Sequence, residues 1–179
     1  MARVRVIGCG NLHAGDDAAG ILAVAEAREV LEAIPGVEVI REASALQVVH
    51  LLQGVGAAVV VDAVRSGADG RPAGTIVRVE AGPAGLPAEF RSTLSSHGLG
   101  IAEAVGLAAA LWVAPRVVVL GVEAESAAVG APLSAAVRAA LPELVSRIVT
   151  EARGLAGEAE RSPGDGSTGP TSTGDSITR

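Results

Sequence analysis

Short apolar runs alternate with amphipathic stretches along most of this chain. Runs rich in β-branched residues predict five strands, at 4–7, 37–40, 57–61, 75–79 and 117–120. Between them, apolar residues recur at helical spacing, which predicts helices at about 18–33, 45–52, 98–112 and 132–153. The runs 57–61 and 117–120 are apolar throughout, as in strands buried on both faces. The run 75–79 alternates, which favours an edge strand.

Strands that alternate with helices predict an α/β fold with a mostly parallel sheet covered on both faces. We expect a three-layer α/β/α sandwich with a twisted sheet of about five strands. A length of 179 residues suits a single domain with a real core. From residue 156 onward the chain is rich in Gly, Ser, Thr and charged residues. We therefore predict one domain at 1–155 and a disordered polar tail at 156–179.

Composition and charge exclude several function classes. Phe90 and Trp112 are the two aromatic residues and the net charge is −6, which argues against nucleic acid and anionic membranes as partners. No apolar run approaches the roughly 20 residues of a membrane span, and the N-terminal apolar run is too short for a signal peptide. With one cysteine, Cys9, an intramolecular disulfide is excluded. We expect a soluble cytoplasmic protein in which Cys9 is a small apolar filler rather than a nucleophile.

Acidic residues and a histidine lie where strands are predicted to end. Asp16 and Asp17 follow the glycine-rich turn after the first strand, Asp62 follows the run 57–61, and His97 precedes a predicted helix. The carboxyl ends of parallel strands meet at one edge of a sheet, so these side chains are expected to converge. Two carboxylates and an imidazole there could hold a metal ion.

Each of these residues also has a structural interpretation. Asp16 and Asp17 suit the start of a helix, where carboxylates cap N–H groups and interact with the helix dipole, and both roles can hold if Asp16 caps while Asp17 faces the cleft. Asp62 could cap the following turn, but burial without a partner would raise its pKa. His97 could be a structural histidine at the start of the helix.

Other titratable residues are weaker candidates. His13 lies in the same loop as Asp16, and His50 lies inside a predicted helix. Glu123 and Glu125 follow the strand 117–120 at the same predicted edge, where they either bind substrate or are solvated.

Two familiar site types fit poorly. Gly8-Cys9-Gly10 follows a strand as in a dinucleotide-binding turn, but His13 occupies the position of the third glycine. Asp16 and Asp17 would repel a pyrophosphate at the helix start, so no nucleotide is expected. A serine hydrolase built on Ser95, Ser96 and His97 would lack the Gly-x-Ser-x-Gly elbow.

The chain resembles the hydrogenase maturation proteases through short motifs that occur in order over nearly all of residues 3–150. In that family a Gly-x-Gly-Asn turn is followed by Asp-Asp or Asp-Glu and then by a glycine. The matching segments here are Val6-Ile7-Gly8-Cys9-Gly10-Asn11, Gly15-Asp16-Asp17-x-x-Gly20, Val60-Val61-Asp62-Ala63, Ser96-His97-Gly98-Leu99-Gly100 and Leu120-Gly121-Val122-Glu123.

This resemblance implies an endopeptidase that clips a C-terminal extension from the large-subunit precursor of a [NiFe] hydrogenase after nickel insertion. It implies that Asp17, Asp62 and His97 contact the metal, and that this nickel is the substrate's own. Some relatives have Glu where Asp17 stands, and the family often has Pro where Ala124 stands. These departures change the reach of one ligand and the shape of one loop.

The route of peptide-bond cleavage stays open at this stage. The substrate's nickel could polarise the carbonyl or activate water, or Asp16 or Asp62 could act as general base on water. The candidate catalytic residues are thus Asp17, Asp62 and Asp16. The alternatives are a non-catalytic nickel-binding assembly factor and a metal-dependent hydrolase of small molecules.

Overall fold

The computed structural model describes residues 3–65, 70–82, 85–86, 100–111 and 115–161. Within these residues the strands are β1 (Val4–Cys9), β2 (Val37–Ala43), β3 (Ala57–Val64), β4 (Ile76–Glu80) and β5 (Arg116–Glu123). The helices are α1 (Ala19–Glu32), α2 (Ala45–Leu51), α3 (Ile101–Leu111) and α4 (Ala135–Arg161), and a 3₁₀ turn spans Gly15–Ala18. No helix in this part of the chain is both long and apolar enough to cross a membrane.

The five strands form one sheet in the order β2-β1-β3-β5-β4. Neighbouring strands are parallel, except that β4 runs antiparallel to β5 at one edge. The predicted mostly parallel sheet and the predicted edge position of the alternating strand are therefore confirmed. Because β1 and β3 are central and parallel, the loops that follow them emerge at the same edge of the sheet.

Helices cover both faces of the sheet, as predicted. Alternate residues of β3 face opposite sides, so Val59 and Val61 pack in one core with α1 and α4. Ala58 and Val60 pack in the second core with α2 and α3. These two aliphatic layers hold the sheet between the helices and leave the carboxyl edge to the loops.

Strands β3 and β5 extend further than their apolar runs. The parallel ladder continues through the pairs Asp62–Gly121 and Val64–Glu123. Asp62 therefore lies inside β3 rather than directly after it, and Glu123 is the last residue of β5. The hydrogen bonds between β3 and β5 are made by the backbone, so they continue past the point where the uninterrupted apolar runs end.

The last helix is longer than predicted and moves the end of the domain. α4 continues to Arg161, six residues past the predicted boundary at 155. Leu155 and Ala156 are buried against the first core, and Glu158 forms an ion pair with Arg116. The segment 156–161 thus belongs to the packed domain, and the remaining predicted tail, 162–179, lies outside the described residues.

Candidate active site

Asp62 occupies the carboxyl end of the central strand β3. It is 7% exposed, and its Oδ1 accepts a hydrogen bond of 2.9 Å from the backbone N–H of Ala63. By strand alternation its side chain is on the same face as Val60, toward α2 and α3. The β1–β3 register brings Cys9, which packs in that same core, alongside it.

Burial and a neighbouring charge make Asp62 an unusual carboxyl group. Burial raises the pKa of Asp62, and the carboxylate of Asp17 raises it further. The hydrogen bond from the Ala63 N–H lowers it, and together these effects raise the pKa to about 8. Asp62 is therefore mostly protonated near neutral pH when no cation is present. A cation placed between Asp17 and Asp62 would favour the ionised form of both groups.

Cys9 lies beside the two carboxyl groups but is not suited to be a nucleophile. Its side chain is buried, and burial, Asp62 and Asp17, in that order, raise the pKa of the thiol well above its ordinary value. The thiol is therefore protonated at neutral pH and packs as a small apolar group. Asp17 and Asp62 both act on this thiol, as expected for carboxyl groups near the carboxyl end of β1.

The glycine-rich turn after β1 brings the backbone of Asp17 to this edge. Gly10 has φ +123°, and a Cβ there would lie 1.9 Å from the carbonyl oxygen of Asp17. That carbonyl accepts a hydrogen bond of 3.2 Å from the N–H of Asn11. At Gly20 a Cβ would lie 2.4 Å from the carbonyl oxygen of Val61, so α1 also begins in close contact with the end of β3. Both glycines are needed for close approach of backbones.

Asp16 points away from this cleft and into the protein. It is fully buried, and its Oδ1 accepts a hydrogen bond of 2.6 Å from the backbone N–H of Ser134. Its Oδ2 accepts hydrogen bonds from the N–H groups of Glu125, at 2.8 Å, and Ser126, at 3.1 Å. Burial alone would raise the pKa of Asp16, but the hydrogen bonds from Ser134, Ser126 and Glu125 outweigh it, so the pKa lies below its ordinary value.

The partners of Asp16 differ from those predicted. Among the described residues no side chain caps α1, whose N-cap position is Ala18. Asp16 instead accepts hydrogen bonds from the backbone N–H of Ser134, the residue before α4, and from those of Glu125 and Ser126 in the loop after β5. Because both of its oxygens are occupied and it has no exposed surface, its geometry favours an anchoring role over that of a general base.

His97, the third residue of the predicted metal site, lies outside the described residues. The described chain resumes at Gly100, directly before α3, and α3 packs on the face of the sheet that carries Asp62. Among the described residues no group of three His, Cys, Asp or Glu side chains is arranged to hold a metal ion. The other histidines are exposed, His13 in the loop after β1 and His50 in α2.

Glu123 and the exposed residue Arg71 add an ion pair near the same edge. The side chain of Glu123 is buried, and its Oε1 lies 3.6 Å from Nη1 of Arg71. Strand alternation puts Glu123 on the same face as Asp62, one strand further along. Glu123 is therefore not the solvated residue that the sequence left open, whereas Glu125 is exposed. The contribution of Arg71 was missed, because a single arginine in a Gly- and Pro-rich segment shows no periodic pattern.

Comparison with known proteins agrees with this fold. A family model described as hydrogenase maturation protease matches residues 28–151, a region that includes Asp62 and His97 and begins after Asp17. No curated protein sequence matches the chain.

Several solved structures share the fold. The hydrogenase maturating endopeptidase HybD from Escherichia coli has a TM-score of 0.67 at 22% identity, over 85% of this chain and 93% of that one. An endopeptidase from Escherichia coli determined in solution has a TM-score of 0.70 at 23% identity, over 85% and 93% of the two chains. The [NiFe] hydrogenase maturation protease HybD from Thermococcus kodakarensis has a TM-score of 0.64 at 23% identity, over 84% and 99%.

The family model covers more than half of the chain. The region it matches contains most of the five-stranded sheet and of the helices that cover its two faces. The chain belongs to the hydrogenase maturation protease family and is an endopeptidase of hydrogenase maturation.

Proposed function

We propose that this endopeptidase removes the C-terminal extension of the large-subunit precursor of a [NiFe] hydrogenase after nickel insertion. In this proposal Asp17, Asp62 and His97 contact the nickel of the substrate. The observation that carries it is the pair Asp17 and Asp62, two carboxyl groups that share the carboxyl edge of a parallel sheet, one of them almost fully buried.

The pair is suited to recognise a cation. With a pKa of about 8, Asp62 holds its proton near neutral pH until a positive charge arrives. A divalent ion carried by the precursor displaces that proton and neutralises the repulsion from Asp17, because metal binding requires ionised ligands. A precursor without nickel offers no such compensation. Carboxylate and imidazole donors are also ligands that nickel accepts.

The same geometry distinguishes the two carboxylates considered as general base. Asp16 is buried with three backbone hydrogen bonds, and its pKa is lowered, so it is a poor acceptor for the proton of water. Asp62 lies at the carboxyl edge, and a cation beside it leaves its carboxylate ionised, so that it can accept a proton from water. Asp62 would take a proton from the attacking water and return it to the leaving nitrogen of the peptide bond. The substrate's nickel supplies the Lewis acidity that polarises the carbonyl.

The experiment is to incubate the purified protein with nickel-loaded precursor and follow the intact mass of the large subunit. We expect the mass to fall by that of one C-terminal fragment. An unchanged mass together with stable binding to the precursor would indicate a non-catalytic nickel-binding factor instead. The Glu26→Gln variant, which alters an exposed carboxylate on α1, is a matched control and should cleave at the wild-type rate.

A further inference from the structure

Two loops that follow β1 and β5 at the carboxyl edge of the sheet expose apolar side chains. In the loop after β1, Leu12 is 43% exposed, and in the loop after β5, Val129 is 83% exposed. Ala127 and Ala128 are also exposed. The two loops are joined where the N–H of Gly130 donates to the carbonyl of His13 at 2.7 Å. We call the surface formed by Leu12 and residues 127–129 the apolar rim.

The apolar rim is held firmly despite its exposure. Beneath it the buried carboxylate of Asp16 accepts hydrogen bonds from Glu125, Ser126 and Ser134. The N–H of Asp16 also donates to the carbonyl of Ser126 at 2.8 Å. A large exposed aliphatic side chain such as Val129 contributes nothing to the core. A preorganised loop that presents such a side chain is suited to binding, because little conformational entropy is lost when a partner docks.

The charges around the apolar rim indicate what kind of surface it fits. Segments 10–18 and 124–134 contain three acidic residues, Asp16, Asp17 and Glu125, and neither Arg nor Lys. Glu125 is exposed and Asp17 is half-buried, so these two segments themselves carry only negative charge, and the guanidinium of Arg138 on α4 meets the second segment at the carbonyl of Leu133. A complementary partner presents an apolar patch bordered by basic side chains.

We propose that the apolar rim docks the folded body of the precursor, at an apolar patch with a basic border close to the C-terminal extension. This rests on the proposed function, because the scissile bond must reach Asp17 and Asp62 at the edge that these loops surround. A protein substrate that delivers its extension to this cleft contacts the neighbouring loops first. The rim therefore acts on precursor affinity and the carboxyl pair on cleavage.

The test compares the Val129→Arg variant with Val30→Arg, measuring binding to immobilised precursor and kcat/KM for its cleavage. Val30 is a matched control because it is 44% exposed on α1, away from the two loops. We expect Val129→Arg to weaken binding at least about tenfold and to lower kcat/KM to the same extent, whereas Val30→Arg stays within about twofold of wild type. The double variant Leu12→Ser with Val129→Ser should weaken binding without added charge. Thermal unfolding of each variant checks that the fold is kept.

The outcomes separate docking from cleavage. If the wild type cleaves the precursor and Val129→Arg binds and cleaves it equally well, the docking surface is overturned and the proposed function stands. If the wild type binds without cleaving and Val129→Arg weakens that binding, the docking surface stands and the proposed cleavage fails. A wild-type protein that does not bind the precursor at all overturns the docking surface.

Discussion

Asp16 and Ser134 are separated by 118 residues in the chain, yet Oδ1 of Asp16 accepts a 2.6 Å hydrogen bond from the backbone N–H of Ser134. This contact joins the start of α1 to the start of α4 and fixes the loop after β5 against the loop after β1. Asp17, the next residue, is thereby placed at the cleft. The two acidic residues therefore differ in position: Asp16 anchors the loops, and Asp17 lies at the cleft.

Replacing Asp16 by Asn should destabilise the protein by about 2–4 kcal/mol, because the amide nitrogen would face backbone N–H groups that need an acceptor. Denaturant unfolding of Asp16→Asn and of wild type at neutral pH measures this difference. The exposed Glu26→Gln change is the control and should stay within about 0.5 kcal/mol. An Asp16→Asn protein as stable as wild type would show that the buried hydrogen bonds do not hold the loops.

Replacing Asp62 by Asn should make the protein more stable relative to wild type as pH rises. The native carboxyl binds its proton up to a pKa of about 8, whereas the unfolded carboxyl loses it near pH 4. Between these values the native state binds more protons, so wild-type stability falls with rising pH, by up to about 1.4 kcal/mol per unit. The asparagine variant lacks this dependence. Unfolding free energies at pH 5 and pH 8 measure it, and an equal difference at both would contradict the raised pKa.

A methyl group at position 20 should disrupt the carboxyl edge. In Gly20→Ala the Cβ would lie 2.4 Å from the carbonyl oxygen of Val61 and 2.6 Å from that of Cys9, so α1 must move away from β1 and β3. We expect a loss of several kcal/mol or failure to fold. Gly154→Ala is the control, because its Cβ in α4 would meet no described atom within 4 Å apart from its chain neighbours and the backbone of its own helix. It should stabilise by up to about 1 kcal/mol, and equal effects of the two changes would refute the close approach.

Two truncations should show that the end of α4 contributes to stability and that the segment after Arg161 does not. Ending the chain at Arg161 removes a segment with one large aliphatic residue, Ile177, and should change stability little. Ending it at Leu155 also removes buried Ala156 and Glu158, which pairs with Arg116, although Arg116 keeps its ion pair with Glu80. We expect a further loss of about 1–2 kcal/mol. Melting temperatures of the two truncated chains test this, and identical values would place the domain boundary at 155.

The sequence pattern predicted the scaffold better than it predicted the site. Strand β3 and its neighbours follow from apolar periodicity, and the position of Asp62 at the carboxyl edge follows from parallel topology. The partners of Asp16 were not predictable, because Glu125 and Ser134 donate through backbone N–H groups in a loop without periodicity. The sequence prediction ended β3 and β5 three residues too soon, because it relied on uninterrupted apolar runs, whereas strand pairing is made by the backbone. The ligand role of His97 stays a prediction.

The most direct measurement of the central claim is the ratio of cleavage rates for nickel-loaded and nickel-free precursor, in wild type and in Asp17→Asn, Asp62→Asn and His97→Ala. We expect wild type and Glu26→Gln to cleave the loaded precursor at least about 100-fold faster than the empty one. Each of the three site variants should lose at least about 100-fold in the loaded reaction while remaining folded. Equal cleavage of both precursors by wild type, or wild-type rates in the site variants, would contradict recognition of the substrate's nickel by this site.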